Sequence, residues 1–304
     1  MAPGDSFHFR VQRGRGQWST TLAATTKDDQ APMVALHRAI SQGLPHRARK
    51  FLSQRPLAVD VPDRAGRTAL LLAVLRGDVE LVYLLLNAGA DPNHAAEGAA
   101  NRTPLMLAAH RGAATLCRAL RDRGARWDVP DRNGCTALHY AVAGDGVAGL
   151  RSAAAAPASS GGTEEVVRMA LEDGADVHVP DSYGWTPLMR AVMLGARTNI
   201  LALLLEAGAD VRQLDKQGHS AAHLAALGGR QDVAAVLARS GADLRTKSRH
   251  GHSARELGRC WPLSLADGAN KGGIEAALAV AAAASAMLKK RAARRKQDEL
   301  DDQI

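Results

Sequence analysis

Aromatic residues are scarce: three Phe, three Tyr and four Trp in 304 residues. Strand-rich sandwiches and barrels lean on aromatic and β-branched side chains, so the scarcity argues against both. Cysteine is rarer still, with Cys117, Cys135 and Cys260 far apart. An odd number at such spacings excludes a disulfide framework and fits a reducing compartment. Without a Cys-x-x-Cys pair, a cysteine-rich zinc module is excluded too. Long apolar runs are also missing. The longest weakly polar stretch, Ile274 to Leu288, is 15 residues and mostly alanine, short of the roughly 20 that span a bilayer. No membrane association is expected, and no secretory segment is seen. Alanine, a good helix former, is abundant instead. The charge is +8, from 39 basic and 31 acidic residues. The length suits two ordinary domains or one long array.

The array reading gains support from internal repetition. Six short blocks run from a turn into a Thr or Ser: Gly66-Arg67-Thr68, Asn101-Arg102-Thr103, Gly134-Cys135-Thr136, Gly184-Trp185-Thr186, Gly218-His219-Ser220 and Gly251-His252-Ser253. Successive Thr/Ser positions are 35, 33, 50, 34 and 33 residues apart. A second block keeps step with the first: Gly89-Ala90-Asp91, Gly124-Ala125, Gly174-Ala175-Asp176, Gly208-Ala209-Asp210 and Gly241-Ala242-Asp243. Asp63, Asp131, Asp181 and Asp215 each stand three residues before a Gly, the pattern of a tight turn. Asn101 takes the Gly place in one repeat and tolerates the left-handed region best among other residues. The Thr or Ser caps a helix, and Pro104 and Pro187 sit where a missing N–H costs nothing. A second helix follows, with apolar residues at helical spacing such as Val79, Val82, Leu85 and Leu86.

This pattern closely resembles the ankyrin-repeat family, whose unit is a turn, a T-P-L-H-like cap, a helix pair and a G-A-D segment at a 33-residue period. The resemblance implies an all-α solenoid of about six to seven helix–turn–helix repeats with short finger hairpins or turns. Residues 1–31 read as a disordered tail and 32–262 as the array, with 32–60 as its N-terminal cap. Residues 263–304 read as a linker and a basic alanine-rich helix. The 50-residue spacing exceeds 33 by 17, placing a flexible insertion at about 145–162. Two extra residues fall near Glu97-Gly98.

A catalytic constellation is not seen: there is no GxSxG, P-loop or HExxH pattern. The chain is therefore not expected to be an enzyme, and no cofactor or metal is assigned. In the family, the His at the place of His139 and His223 braces neighbouring repeats. Cys135 is expected at a finger tip, where exposure would make it a candidate reactive thiol. The neighbours of Trp185 likewise place it at an exposed finger position.

The resemblance implies that a protein partner docks on the finger tips and the adjoining inner-helix face. Mapping the family's variable places onto this chain selects 30 positions, with eight Arg or Lys and no acid. From them we take Arg64, Arg67, Arg76, Arg102, Arg111, Arg132, Tyr183, Trp185, Met193 and Lys216 as candidate contacts. The cations favour an acidic segment, and Tyr183, Trp185, Met193 and Leu194 suggest an aromatic and methionine patch. The expected function is a non-catalytic scaffold or adaptor, acting as a monomer in the cytoplasm, the nucleus or both. Mitochondrial targeting by the N-terminal stretch is a weaker reading. Two alternatives remain. One is a nuclear regulator using the basic stretch Lys289 to Lys296, six cations in eight residues, for import or nucleic-acid contact. The other is a substrate-recognition adaptor of a larger enzyme complex. Nucleic-acid binding is not favoured, because no recognition fold or stacking aromatics accompany the patch.

Overall fold

The computed structural model describes residues 7–11, 20–24, 27–54, 59–95, 101–144 and 162–260. Helix pairs follow one another: α1 (Lys27–Ser41) with α2 (Pro45–Gln54), then α3 (Ala69–Arg76) with α4 (Val79–Asn87). Next come α5 (Pro104–His110) with α6 (Ala114–Arg121), and α7 (Ala137–Ala143) with α8 (Gly162–Glu172). The series continues with α9 (Pro187–Met193) and α10 (Thr198–Glu206), then α11 (Ala221–Leu227) and α12 (Gln231–Arg239). It ends on α13 (Ala254–Cys260). The first helix of each pair packs on the first helix of the next, from α1 through α13, forming an inner layer. Helices α2, α4, α6, α8 and α10 form the outer layer in the same way.

The inner helices α3, α5, α7, α9 and α11, of seven or eight residues, are too short to persist alone, so packing must hold them. Their sequences are mostly apolar: Ala69 to Val74 of α3 are buried without exception. Alanine lets neighbouring inner helices approach closely, and Ala69, Ala73, Ala108, Ala109, Ala141, Ala191, Ala221 and Ala225 have no exposed surface. Outer helices bury one stripe only, as Leu81, Val82, Leu85 and Leu86 do in α4.

The expected caps are present. Thr68, Thr103 and Thr186 accept from the backbone N–H groups of Leu71, Met106 and Met189, each at 3.3 Å. Thr136 and Ser220 instead donate their backbone N–H to Nδ1 of His139 and His223, at 3.1 and 3.2 Å. The other ring nitrogens meet the next repeat, at Trp185 O and His252 O, both 3.2 Å away. The bracing role implied for these histidines is thus realised. Asn101 has φ +57°, and among the described residues it alone is non-glycine at positive φ.

The N-terminal stretch departs from the expected tail. Phe7–Val11 (β1) and Thr20–Ala24 (β2) pair antiparallel, with Phe7 opposite Ala24 and Val11 opposite Thr20. The alternation Phe7-His8-Phe9-Arg10-Val11 carries the period-2 signal of a strand. Helix α1 also starts at Lys27, ahead of the boundary expected at Pro32. The extra residues near Glu97-Gly98, the insertion apart from Gly162, and the basic C-terminal helix lie outside the described residues.

Two glycines show what the stack demands of its turns. Gly184 (φ +83°) and Gly208 (φ +88°) are both left-handed. A Cβ on Gly208 would meet nothing within 4 Å, whereas one on Gly184 would lie 2.9 Å from Lys216 N. Gly208→Ala should therefore cost the backbone strain alone, about 1–2 kcal/mol. Gly184→Ala should cost at least about 1 kcal/mol more, because the next finger must shift. Urea denaturation of the two variants measures the difference, and equal losses would remove the finger contact as its cause.

The bracing histidine adds a pH dependence. Burial, then the charge of Arg190, lowers the His139 imidazole from 6.5 to about 4. A depressed base is stabilising above its unfolded value, and that stability is lost as pH falls from about 6.5 towards about 4. The loss from His139 is about 3 kcal/mol. Thermal melts from pH 7 down to 4 should fall steeply for the wild type and less for His139→Gln. Parallel curves would show that His139 is not the titrating group.

Candidate protein-binding face

Four fingers are built on a carboxylate whose two oxygens have separate work. In the turn at Asp63, Oδ1 accepts from the N–H groups of Ala65 and Arg67, both at 2.9 Å. Asp131, Asp181 and Asp215 repeat this with Asn133 and Cys135, Tyr183 and Trp185, and Gln217 and His219. Oδ2 then takes a different donor in each finger. Arg67 reaches Asp63 at 2.8 Å, and the Tyr140 hydroxyl donates to Asp131 at 2.7 Å. Arg190 Nη1 lies 3.1 Å from Asp181, and Trp185 Nε1 donates to Asp215 at 3.0 Å across to the following finger.

The electrostatics follow from these partners. Burial pushes the Asp63 carboxyl up, but the bonds from Arg67 and Ala65 outweigh it and hold it below the ordinary value. The same balance, with His219 and Trp185 as donors, holds Asp215 low. At Asp181 burial wins and the carboxyl is raised despite Arg190.

Successive fingers are tied by backbone bonds: Ser182 N to Asn133 O at 2.8 Å, Lys216 N to Tyr183 O at 3.2 Å, and Arg249 N to Gln217 O at 3.3 Å. The turn carboxylates are thus directed inward. The tips display Arg64, Arg132, Tyr183, Lys216 and Arg249, all exposed.

The candidate contacts separate into three groups. Arg64, Arg132, Tyr183 and Lys216 stand at exposed tips, with Tyr183 42% exposed. Arg76, Arg102 and Arg111 lie on the inner face, Arg76 exposed and the other two half-buried. Arg67 is half-buried and held by Asp63. Trp185 and Met193 are not surface residues: they are 2% and 3% exposed. The finger folds Trp185 inward because its indole N–H serves Asp215, and Met193 ends an inner helix whose seven residues are all buried. The aromatic and methionine patch therefore reduces at the surface to Tyr183, whose ring lies 5.9 Å from that of Trp185.

Sequence reasoning passed over Tyr140 and Arg190. Both occupy the place where sister repeats carry Leu72, Leu107 and Leu224, and that substitution was the available signal. Together they make a polar seam between repeats. Arg102 Nε donates to the Tyr140 hydroxyl at 2.9 Å, and the Arg102 and Arg190 guanidiniums lie 5.3 and 5.9 Å from its ring centre. A buried ion pair such as Arg190–Asp181 adds little net stability but is costly to break by removing one partner.

Cys135 is also not at an exposed tip. It is 1% exposed, and burial, eased by Arg190, raises its thiol to about 11. Cys117 is buried too and raised to about 12. A protonated, buried thiol is a poor nucleophile. Of the three cysteines, Cys117 and Cys135 should resist a thiol reagent at pH 7.5 in the folded protein and react once guanidinium is added. Counting modified thiols by mass spectrometry checks this, and rapid native labelling of Cys135 would contradict it.

Comparison with known proteins agrees with this geometry. The family model "Ankyrin repeats (3 copies)" matches residues 94–157 and 153–248, and "Ankyrin repeat" matches 65–97. The mouse B-cell lymphoma 3 protein homolog is 32% identical over 216 residues, covering 68% of this chain and 44% of that protein. Ankyrin repeat protein nuc-2 of Neurospora crassa is 28% identical over 66% of this chain and 17% of its own. The chain thus spans less than half the length of these curated relatives. The crystal structure of the ankyrin repeat domain of Bcl-3, described as a member of the IkappaB protein family, superposes with a TM-score of 0.61. It is 30% identical and is matched over 73% of this chain and 92% of that domain. An ankyrin repeat domain from Acinetobacter baumannii gives 0.57 at 29% identity, over 68% and 98%. With the family models matching more than half of its length, the chain belongs to the ankyrin-repeat family.

Proposed function

We propose that this protein is a non-catalytic adaptor that binds an acidic segment of another protein across its finger tips and inner-helix face. Ankyrin repeats generally mediate protein–protein interaction, and such modules are typically non-enzymatic. No helix among the described residues is long and apolar enough to cross a membrane. The observation that carries the acidic partner is the division of charge within the fingers. The carboxylates of Asp63, Asp131, Asp181 and Asp215 are turned inward onto donors of the fold. Arg64, Arg132 and Lys216 stand at the exposed tips. A row of one sign steers a partner of the other and makes its binding salt-sensitive.

The test uses the full chain with Arg64→Glu, Arg132→Glu and Lys216→Glu combined. These tips are exposed, so the variant should fold, with a circular dichroism melt close to that of the wild type. Affinity capture from native extract should return proteins that the wild type releases on raising salt and the variant fails to hold. An identical set retained by both proteins, at low and moderate salt alike, would overturn the reading.

A further inference from the structure

The inner face is not uniform along the array. At its later end the crook between finger and inner helix is filled: Tyr140, Trp185, Arg190, His219 and Leu224 are all buried. The last residues of α9, Val192 and Met193, are buried as well. At the two earlier repeats Leu72 is buried like its later counterparts, but the far end of the inner helix is open. Leu75, the penultimate residue of α3, is 41% exposed, and Leu107 of α5 is half-buried.

The cations around that opening lack the carboxylates found elsewhere. On the outer layer and the turns beside it, Arg118 pairs with Glu165, Arg121 with Asp173 and Arg126 with Asp128. On the inner face Arg76 Nη1 donates to Ser41 O at 2.6 Å, the last carbonyl region of α1. Arg111 Nη1 donates to the carbonyls of Val74 and Leu75 at the end of α3. Arg102 donates Nε to the Tyr140 hydroxyl. Each guanidinium has five N–H donors and spends few of them on neutral oxygens. None of the three is paired with a carboxylate among the described residues. His110 sits beside them with Nδ1 buried and unpartnered. Burial first, and then the charges of Arg102 and Arg190, depress its imidazole against the raising effect of a hydrogen bond with the Tyr140 backbone.

We propose that the open inner face of the first two full repeats, Leu75 and Leu107 ringed by Arg76, Arg102, His110 and Arg111, anchors an apolar side chain flanked by carboxylates on an acidic protein segment. The apolar side chain covers Leu75, and the flanking carboxylates meet Arg102 and Arg111. The later repeats then contribute only their finger tips. This inference rests on the adaptor reading and adds where the partner is gripped and what residue pattern it presents. A phosphate backbone matches the charge but not the exposed leucine, which is why an acidic and apolar peptide is favoured.

The experiment is fluorescence anisotropy on the full chain with three labelled probes. The first is a short peptide whose acidic residues flank a Leu-Phe pair. The second is the same peptide with Ser-Ser in place of that pair, and the third is an oligothymidylate of equal charge. The wild type should bind the first at least about tenfold more tightly than either control. Leu75→Ser and Arg102→Gln, each verified folded by its melt, should each weaken the first probe roughly tenfold. Arg111 is left intact because it also caps α3.

Equal binding of the Ser-Ser peptide, preference for the oligonucleotide, or no binding of any probe would overturn the anchor. So would peptide binding unchanged in both variants and lost only when Arg64, Arg132 and Lys216 are reversed. In that last case the adaptor reading stands, since the fingers still hold an acidic segment. If salt-sensitive capture from extract is absent as well, the adaptor reading falls with the anchor.

Discussion

The finger carboxylate is the constraint on which the rest of the array depends. A turn of four residues leaves backbone N–H groups pointing inward, and Asp satisfies two of them with a single oxygen. The second oxygen must then find a donor or suffer burial unpaired. Arg67 supplies it within one finger, Tyr140 and Arg190 supply it from inner helices, and Trp185 supplies it across fingers. The donor identity changes from repeat to repeat, while the carboxylate's demand does not. The last finger shows what happens without the acid: Ser248 stands in the Asp place, and its buried hydroxyl has no partner.

Meeting that demand shapes the electrostatic surface. Acids are drawn into the turns, where each is surrounded by donors, while the residues immediately following project outward as Arg64, Arg132 and Lys216. The same geometry explains why Trp185 is a packing residue. An indole with its N–H on Asp215 covers the polar seam from water and ties two fingers, so its worth lies in the stack. The arginines of the inner helices do a related job. Arg76 and Arg111 cover carbonyls that α1 and α3 leave without helical partners. Arg230, at the start of α12, donates to Ala196 O in the turn before α10, at 2.9 Å.

Most of the fold was legible in the sequence because it is local and repeated. Asp63, Gly66 and Thr68 specify a turn and a cap within six residues, and five further copies confirm the register. The bracing role of His139 and His223 was implied by the family resemblance, through their place in the repeat. The candidate surface was legible only in part. Position after the finger Gly was read as exposure, which held in part for Arg67 and Arg102, both half-buried, and failed for Cys135 and Trp185. Side-chain size and neighbour decide that outcome. At Tyr140 and Arg190 polar side chains reach the finger carboxylates and close the crook, whereas at Leu224 the same place is buried by leucine.

By itself, then, the sequence determined the repeat, its period, its caps and turns and the family to which it belongs, because each rests on contacts between residues a few positions apart. The pairing of β1 with β2 and the start of α1 at Lys27 were passed over, although the period-2 alternation of Phe7 to Val11 carried a signal. Only the tertiary structure decided which finger residues turn inward, which guanidiniums keep donors to spare, and that the inner face is open at Leu75 and closed at Tyr140. Those outcomes depend on side chains from repeats 30 or more residues apart meeting across the stack, as Trp185 meets Asp215 and Arg102 meets Tyr140. No spacing within one repeat encodes that meeting.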